Sequence, residues 1–591
     1  MHPASAGRAR WRAMAAGLLL CAAPACARGD AAARPAGGGM STRAADAAIR
    51  RAMADPAQWA GYGRDYSNQR WSPLTQINTG NVASLAPAWV YHTGIVNAFE
   101  TSPVVVDGTM YLSTQRNHVV ALDASSGRKK WEYTHPYATT VDCCGPINRG
   151  VAVYGGRVFM GTVDARLVAL DAGTGRKLWQ VQVGDNQKGY HITSAPLAAE
   201  GLVVTGISCG EQGGRCYVTA YDAATGKLAW RWYTVPSPEQ GGWWGKWKTT
   251  DPFGTPIPRD IEQEKRDSAK YPNAWLTGGA PMWHTPAYEP ETGLLFMNVG
   301  NPAPDLDGTV RPGDNLYTDC IVAVELKTGR LRWYQQLVPH DQWDYDPASP
   351  VVLVDVKDTR GRTVPAVAEA GKTAWVYVLD RRTGAPIRRS EAFAPQQNMW
   401  TVPTEEGVVI APATLGGSDW SPPAFDPRTG YLYVVANYFP QLYKQKHEPL
   451  QAPAVWWGGS VTAPPAGQYG LFNAIDLNTG RIVWQHRLEK PTIGGAVATA
   501  GGVVFTGTSD RKFIAFDSRT GQPLWQATAG AGVNAPPITY QVGGTQYVAV
   551  AAGGNLPLNS PRGDEVLVFK LGSKPASGAI PTRDPTPNGG G

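Results

Sequence analysis

The stretch Ala169-Leu-Asp-Ala-Gly-Thr-Gly-Arg-Lys-Leu-Trp179 decides the fold, because close copies of it return along the chain. The copies end at Trp131, Trp179, Trp230, Trp333, Trp484 and Trp525. Successive Trp residues are 48, 51, 103, 151 and 41 positions apart, which correspond to one, one, two, three and one units. A period of about 50 residues is typical of a β-propeller or a solenoid. A parallel β-solenoid would need much shorter repeats.

The repeat itself predicts strands joined by a tight turn. In Asp-x-x-Thr-Gly the Asp side chain can bond its own backbone and the Gly supplies a positive φ, so that the Trp begins the next strand and packs on the neighbouring unit. Weaker copies without the Trp lie at 288–293, 379–384 and 425–430, and β-rich runs lie at 109–113, 157–161, 375–379, 431–436 and 503–506. With Trp89 opening the series, we predict an all-β, eight-bladed β-propeller with tryptophan-docking repeats.

Composition excludes other classes of protein. The 591 residues include 43% hydrophobic residues, 22 Trp and 24 Tyr, which is enough apolar surface for a large core and excludes a disordered chain. With 68 Gly, 48 Pro and only 17% charged residues, long helices would be interrupted and would lack polar faces. The net charge of +6 comes with no basic cluster interleaved with aromatic residues, so we expect no nucleic-acid partner.

The N-terminus predicts export. Residues 1–33 place Arg8, Arg10 and Arg12 before the apolar run 15–27, which is too short to span a bilayer. The alternatives are an uncleaved anchor and a lipoprotein modified at Cys26, although the residues before Cys26 match a lipid-attachment site poorly. We therefore expect a periplasmic protein.

The remaining boundaries follow from composition and rhythm. Residues 34–58 form a helical lead-in, with a helix over 41–54 that starts at a Ser and stops before a Pro. The propeller spans 59–571, and the Gly- and Pro-rich tail 572–591 is predicted to be flexible. The two longest breaks in the repeat, 236–271 and 439–470, predict excursions over one face, where function tends to collect.

Five Cys lie beyond residue 33, at 143, 144, 209, 216 and 320, and none forms a Cys-x-x-Cys-His haem motif or a Cys-x-x-Cys zinc pair. The adjacent Cys143 and Cys144 could close a strained vicinal disulfide, or they could be free or separately paired thiols. Sequence spacing alone leaves both alternatives open.

Oxygen ligands form the second chemical pattern, and they are Glu211, Asn301, Asp344 and Asp346. Hard cations bind several carboxylate and amide oxygens. Singly, each of these residues is more often a turn or solvated loop residue. Together, at the strand ends of blades that face one axis, they predict a metal site.

These motifs resemble the quinoprotein alcohol dehydrogenases, the methanol dehydrogenase group that uses pyrroloquinoline quinone (PQQ), from about Trp59 through Gly554. The resemblance rests on Trp59-x-x-Tyr62-Gly63-Arg64-Asp65, Glu100-Thr-Ser-Pro103, Cys143-Cys144, Asn148-Arg149-Gly150, Thr193-Ser-Ala-Pro196, Trp283, Gly300-Asn301-Pro302, Arg311-Pro-Gly-Asp-Asn315, Trp343-Asp344, Lys372 and Tyr377-Val-Leu-Asp380-Arg381.

The resemblance implies that PQQ lies between a Cys143–Cys144 disulfide ring and the indole of Trp283. The cofactor residues it assigns are Glu100, Cys143, Cys144, Arg149, Thr193, Ser208, Cys209, Gly210, Trp283, Lys372 and Asp419. Arginine and hydroxyl groups suit the cofactor's carboxylates. We also predict a second disulfide, Cys209–Cys216, that holds the Gly-rich loop carrying Glu211, although two buried unpaired Cys would suit the same positions.

For catalysis, the resemblance makes Glu211, Asn301 and Asp344 the ligands of a metal that acts as a Lewis acid on a quinone carbonyl. Asp344 is the expected general base for the substrate hydroxyl, and Lys372 hydrogen-bonds the quinone oxygens.

Asp346 decides the expected metal. Lanthanide-dependent relatives carry this additional Asp, and three carboxylates balance a trivalent ion better than a divalent one. We therefore expect one lanthanide ion, with Ca²⁺ as the alternative. That expectation requires Asp344 and Asp346, two apart in an extended segment, to face the ion together, whereas Asp346 could instead face solvent at a blade edge.

Four departures from the family pattern limit the choice of substrate. Pro281 stands where a Thr is frequent, Asp419 replaces an Asn, Ile493 replaces a Trp, and Cys209 with Cys216 lies where Gly is usual. These changes reshape the pocket, so methanol is not assumed as the substrate.

The predicted function is a periplasmic PQQ-dependent dehydrogenase that oxidises a small alcohol, or a related hydroxyl or aldehyde substrate, and passes electrons to a separate periplasmic cytochrome c. A homodimer is left open. The alternative is a non-catalytic propeller scaffold of the outer-membrane assembly type, which would need neither adjacent Cys residues nor the set Glu211, Asn301, Asp344 and Lys372.

Overall fold

The computed structural model describes residues 40–136, 144–464 and 466–572. The predicted export signal 1–33 lies outside this part of the chain, as does all of the predicted tail except Gly572. The predicted lead-in helix is present as Thr42–Ala54, with the Ser41 hydroxyl accepting from the amide of Ala44. Its buried side chains, including Ile49, pack with those of strand Ala152–Tyr154. No helix in the described ranges is long and apolar enough to cross a membrane.

Strands dominate the described chain, and they form eight sheets that follow one another in the sequence. The first is Val104–Val106, Thr109–Ser113, Val119–Asp123 and Lys129–Tyr133; the second is Ala152–Tyr154, Arg157–Gly161, Arg166–Asp171 and Lys177–Gln182. The third is Leu197–Ala199, Leu202–Gly206, Tyr217–Asp222 and Leu228–Tyr233; the fourth is Ala287–Glu289, Leu294–Val299, Cys320–Glu325 and Leu331–Gln336.

The fifth sheet is Val352–Lys357, Thr363–Ala370, Val376–Asp380 and Pro386–Arg389, and the sixth is Ala424–Asp426, Tyr431–Tyr438, Tyr469–Asp476 and Ile482–Leu488. The seventh is Ala496–Thr499, Val503–Gly507, Lys512–Asp517 and Pro523–Thr528, with Trp71–Ser72 added in parallel. The eighth is Ile538–Val542, Thr545–Ala552 and Gly563–Leu571, and its outermost strand is the early segment Leu85–Asn97.

A smaller three-stranded sheet lies outside this series and is called the cap here: Val408–Ile410, Gln441–Gln445 and Gly459–Thr462. A second α-helix spans Ile261–Asp267. Short 3-10 helices span Val82–Ser84, Gln115–Asn117, Asn186–Lys188, Pro238–Gln240, Ala274–Thr277 and Gly308–Val310.

The sequence of each strand matches its place in its sheet. Inner strands such as Val119–Asp123 are apolar almost throughout because neighbouring sheets cover both faces. An outermost strand such as Ile482–Leu488 alternates half-buried and exposed residues, since one of its faces meets water. Apolar clusters join each sheet to the next, and one cluster combines Phe505 of the seventh sheet, Val548 of the eighth and Met110 of the first.

The tryptophan contacts predicted from the repeat are present. The indole N–H of Trp131, in the first sheet, donates to the carbonyl of Ala172 in the second at 3.0 Å. The ring lies on Gly175, whose φ is +72°, and a Cβ built there would come within 2.5 Å of the indole. The same contact recurs between Trp89 and Gly127, Trp179 and Gly226, Trp230 and Gly329, Trp333 and Gly384, and Trp484 and Gly521.

The fifth sheet lacks the Trp, and Arg388 occupies its place. Its guanidinium donates to the carbonyl of Leu477 at 3.0 Å, and its side-chain Cδ lies 3.1 Å from a Cβ built on Gly480. An arginine stem and planar head can thus substitute for an indole. Of the weaker repeats, only 379–384 is the turn before an outermost strand. The other two, 288–293 and 425–430, join the first two strands of the fourth and sixth sheets, whose outermost strands already carry Trp333 and Trp484.

The segment 59–72 contacts the first strands of most sheets. Trp59 pairs with Val105, Leu353 donates its amide to Ser67, and Ala498 donates its amide to Arg70. The fully buried guanidinium of Arg70 donates to Ala496 at 3.0 Å and to Pro537 at 2.6 Å, and so links the seventh and eighth sheets. One short segment therefore ties together strands that are hundreds of residues apart.

The Trp–Gly contact predicts that Gly175→Ala destabilises the fold more than Gly156→Ala does. Both glycines have nearly the same φ, +72° and +74°, but a Cβ at position 156 meets nothing within 4 Å. Both substitutions therefore carry a similar backbone strain. Gly175→Ala should lower the free energy of unfolding by about 1–3 kcal/mol more, because its Cβ overpacks against Trp131, and denaturant unfolding measures this difference. Equal free energies of unfolding would contradict the packing role of the indole.

Candidate active site

One cavity of about 340 Å³ collects most of the predicted site residues. Glu100, Cys144, Arg149, Thr193, Ser208, Glu211, Trp283, Asn301, Asp344, Asp346, Lys372 and Asp419 all line it. They precede the first strand or follow the second strand of their sheets. Because these two strands are antiparallel, both positions emerge at the same end of each sheet. The topology therefore gathers residues from separate sheets at one place.

One wall of the cavity is built around Arg149. Its guanidinium lies 3.2 Å from the Glu100 carboxylate and donates to the Thr193 hydroxyl at 2.9 Å. It also lies over the rings of Trp283 and Trp420, 5.2 and 4.6 Å from their centroids. Burial raises the pKa of Glu100, and Arg149 opposes that rise. A fixed cation beside an indole face is suited to a flat, anionic ligand.

A second group of residues that line the cavity is acidic and surrounds Lys372. The Lys372 ammonium lies 2.9 Å from Asp344 and 2.7 Å from Asp346. Burial raises the pKa of Asp344 well above its ordinary value; Lys372 opposes the rise, while Asp346 and Asp305 add to it. One ammonium among several buried carboxylates leaves an excess of negative charge, which favours binding of a further cation.

The backbone conformation that places Asp344 and Asp346 at Lys372 differs from the prediction. We expected an extended segment, but Asp344 has φ +59°, in the left-handed region. The Asp341 carboxylate accepts from the amides of Trp343 and Tyr345 at 2.9 and 2.8 Å and so fixes a turn. Both carboxylates nevertheless meet the same ammonium, and Asp346, 1% exposed, does not face solvent.

The donor set fits a hard cation in its chemistry. Glu211, Asn301, Asp344 and Asp346 offer carboxylate and amide oxygens to one cavity, and the buried Oδ2 of Asp346 has no hydrogen-bond partner. Within the described ranges, no three acidic, His or Cys side chains already form a closed coordination group. Binding a metal would therefore need these side chains to adjust.

The cysteines match the predicted pairing where they are described. Cys209 and Cys216 form a disulfide with a Cα–Cα distance of 5.8 Å. Cys144 is also disulfide-bonded, whereas Cys143 lies outside the described residues. Cys209 is fully buried, and neither it nor Gly210 is among the residues that line the cavity. Their predicted cofactor contact stays a prediction; the disulfide closes the loop that carries Glu211.

The cap forms part of the cavity wall. The predicted excursion 439–470 supplies two of its strands, and Val455 and Trp457 in the loop between them line the cavity. The amide of Trp456 donates to the carbonyl of Glu211 at 2.5 Å. The other excursion, 236–271, is fixed by Arg259, which lies 2.6 Å from Asp314 in the loop between the second and third strands of the fourth sheet.

Sequence reasoning missed several lining residues, notably Asp305, His191, Leu415, Trp420 and Asn555. Asp305 follows Asn301 by four positions and accepts a hydrogen bond from its amide at 3.0 Å. The Asn301-Pro-Ala-Pro-Asp305 spacing was the signal available, but a lone Asp after two prolines does not by itself indicate a site. Asn555 comes from the eighth sheet and donates to Glu100 at 2.8 Å.

Comparisons with known proteins agree with this arrangement. Residues 59–399 and 389–548 match the PQQ family model described as "Glucose/ethanol/alcohol dehydrogenase, beta-propeller domain". The chain belongs to this quinoprotein alcohol dehydrogenase family. It is a β-propeller protein of the PQQ-dependent oxidoreductases.

Two relatives and one solved structure illustrate the similarity. The quinoprotein alcohol dehydrogenase PedH of Pseudomonas putida is 34% identical over 531 residues, 85% of this chain and 88% of PedH. The lanthanide-dependent methanol dehydrogenase of Methylorubrum extorquens is 35% identical over 543 residues, 86% of this chain and 89% of that protein. A europium-containing methanol dehydrogenase structure has a TM-score of 0.79 at 32% identity, covering 88% of this chain and 100% of that one.

The disulfides predict a single reactive thiol. In protein lacking residues 1–33, denatured without reductant, titration should find one thiol per chain, on Cys320, because that residue is the free cysteine of the described chain. The same sample after reduction should give five. Three thiols before reduction, with Cys143 and Cys144 labelled, would contradict the vicinal pairing.

Proposed function

We propose that this chain is a periplasmic quinoprotein dehydrogenase that oxidises a small alcohol, or a related hydroxyl or aldehyde substrate, with PQQ and one metal ion. The observation that carries the proposal is the meeting of two unlike groups of wall residues in one cavity: Arg149 with Trp283, and Asp344 and Asp346 with Lys372. A flat polyanion and a hard cation are the two ligands that such walls suit.

We further propose that the eight sheets are the blades of a closed propeller. The pairing of Leu85–Asn97 with Gly563–Leu571 and the apolar cluster shared by the seventh, eighth and first sheets support closure. The indole N–H of Trp525, in the seventh sheet, also donates to the carbonyl of Leu85 in the eighth at 3.2 Å.

PQQ would be held by Arg149, Thr193, Ser208 and Glu100, with Trp283 on one face and the disulfide of Cys144 on the other. When bound, it supplies the two-electron acceptor that side chains lack. With the group bound, the indoles of Trp283 and Trp420 would shield the reacting atoms from water, and the Lys372 ammonium would provide a donor for charge that develops on a carbonyl oxygen.

Asp344 would take the hydroxyl proton of the substrate. Its carboxylate lies in the cavity next to Lys372, whose charge opposes the rise in pKa that burial causes and so favours the ionised form needed of a base. Glu211, Asn301 and Asp346 would share the metal with it. We propose a lanthanide, because Glu211, Asp344 and Asp346 bring three negative charges, with Ca²⁺ as the alternative.

Electrons would pass to a separate periplasmic cytochrome c, since the sequence contains no Cys-x-x-Cys-His haem motif. Small alcohols are proposed as substrates, and a homodimer remains an additional proposal. Reconstituting purified protein with PQQ and metal, and recording its absorption spectrum and its alcohol-dependent reduction of a dye, tests the function as a whole. An unchanged cofactor spectrum and no turnover on any alcohol would reject it.

Asp344→Asn should retain PQQ but turn over more slowly by roughly 10²-fold or more, because the amide keeps an oxygen ligand and cannot accept the proton. The measurement is kcat with matched PQQ and metal content. A rate near that of the unaltered protein would show that another group is the base.

The metal proposal predicts that apo-protein reconstituted with PQQ and La³⁺ is active on primary alcohols, and that Asp346→Ala abolishes this activity. The reason is the loss of one of three balancing charges. Reconstitution with Ca²⁺ is the parallel measurement. Full activity with Ca²⁺ and none with La³⁺ would reject the lanthanide in favour of calcium.

A further inference from the structure

Asp305 is a buried carboxylate of the cavity that the proposed mechanism does not use. It is 1% exposed, as is Asn301, and the Asn301 amide nitrogen Nδ2 donates to Asp305 Oδ1 at 3.0 Å. Both residues line the cavity together with Glu211 and Asp344. The hydrogen bond therefore lies inside the site.

This bond determines which end of the Asn301 amide is available. A side-chain amide has a donor nitrogen and an acceptor oxygen, and here the nitrogen is the end that faces Asp305 Oδ1. Asp305 therefore fixes the nitrogen and leaves Oδ1 free for another partner. A Cβ built on Gly210, next to Glu211, would lie 3.8 Å from that oxygen, so Oδ1 faces the Glu211 loop.

Asp305 is itself held rigidly by Arg311. This fully buried guanidinium donates to the carbonyl of Pro304 at 2.8 Å and to the carbonyl of Asp305 at 3.0 Å. The backbone on both sides of the carboxylate is thus fixed. A carboxylate held in this way can keep the Asn301 amide in one orientation, whereas a mobile, solvated carboxylate could not.

We infer that Asp305 is a positioning residue for the cation site: it holds the Asn301 amide so that Oδ1 is presented to the metal. The inference rests on the proposed function, since it needs a cation among Glu211, Asn301, Asp344 and Asp346. Outer partners that orient a ligand typically change metal affinity 10- to 100-fold when they are removed.

The test uses Eu³⁺ as a luminescent probe of apo-protein without PQQ, so that turnover is not needed. Asp305→Ala should weaken Eu³⁺ binding by about 10- to 100-fold, and the luminescence lifetimes in H₂O and D₂O should show about one additional bound water. Asp305→Asn keeps an acceptor oxygen of the same shape and should bind within a few-fold of the unaltered protein. Asp305→Leu, of similar volume but without an acceptor, replaces the Ala variant if that variant does not fold.

The matched control is Asp307→Asn, which removes a carboxylate from the same loop. Asp307 contacts Gln445 and His447 of the cap region at 3.1 and 3.0 Å and does not line the cavity, so Eu³⁺ affinity should be unchanged. The thermal unfolding of each variant is measured as well, so that a loss of Eu³⁺ affinity is not confused with a loss of folded protein.

Three results would overturn the inference in distinguishable ways. If Asp305→Ala binds Eu³⁺ as the unaltered protein does, Asp305 does not position Asn301. If Asp305→Asn loses as much affinity as Asp305→Ala, the carboxylate acts through its charge and the orienting role is wrong. If the unaltered protein binds no Eu³⁺, the proposed cation site fails, and the role of Asp305 fails with it.

Discussion

The pairing of Leu85–Asn97 with Gly563–Leu571 is the constraint on which the site depends. It joins an early strand to the last sheet, so that the first and eighth sheets become neighbours. The hydrogen bond from Asn555 to Glu100 crosses this seam at 2.8 Å. Glu100 in turn contacts Arg149. A cavity wall assembled from both ends of the chain exists only when the strands at those ends have paired.

Contacts between neighbouring sheets also hold the sheets in fixed positions relative to one another. The indoles of Trp131, Trp179, Trp230, Trp333 and Trp484 each pack on a glycine and donate to a carbonyl of the next sheet, as Trp230 does to Leu326 at 2.8 Å. The contact therefore combines apolar burial with a fixed direction. The segment 59–72 adds hydrogen bonds to inner strands, through Arg70 above all. Rigid inner strands allow residues at their ends to hold positions that loops alone could not maintain.

The repeats and the family motifs could be predicted from the sequence, whereas features that depend on one tertiary contact were missed. The Trp period indicated the strands and their docking, and the family motifs indicated most of the cavity residues. Arg388 was missed because a guanidinium replacing an indole leaves no periodic signal. The left-handed Asp344 was missed because its turn depends on hydrogen bonds to Asp341. Asp305 was missed because its role depends on a tertiary contact with Asn301.

Lys372 links the two halves of the proposed chemistry. In the protein alone its ammonium forms ion pairs with both Asp344 and Asp346, at 2.9 and 2.7 Å, and so offsets part of their negative charge. A metal ion bound to the same carboxylates would compete for their charge and weaken their hold on the ammonium. Lysine, a compact charge on a flexible stem with three donors, can then turn to another acceptor without leaving the site. One side chain would thereby offset charge among the buried acids and, in the proposed mechanism, remain available as a donor during turnover.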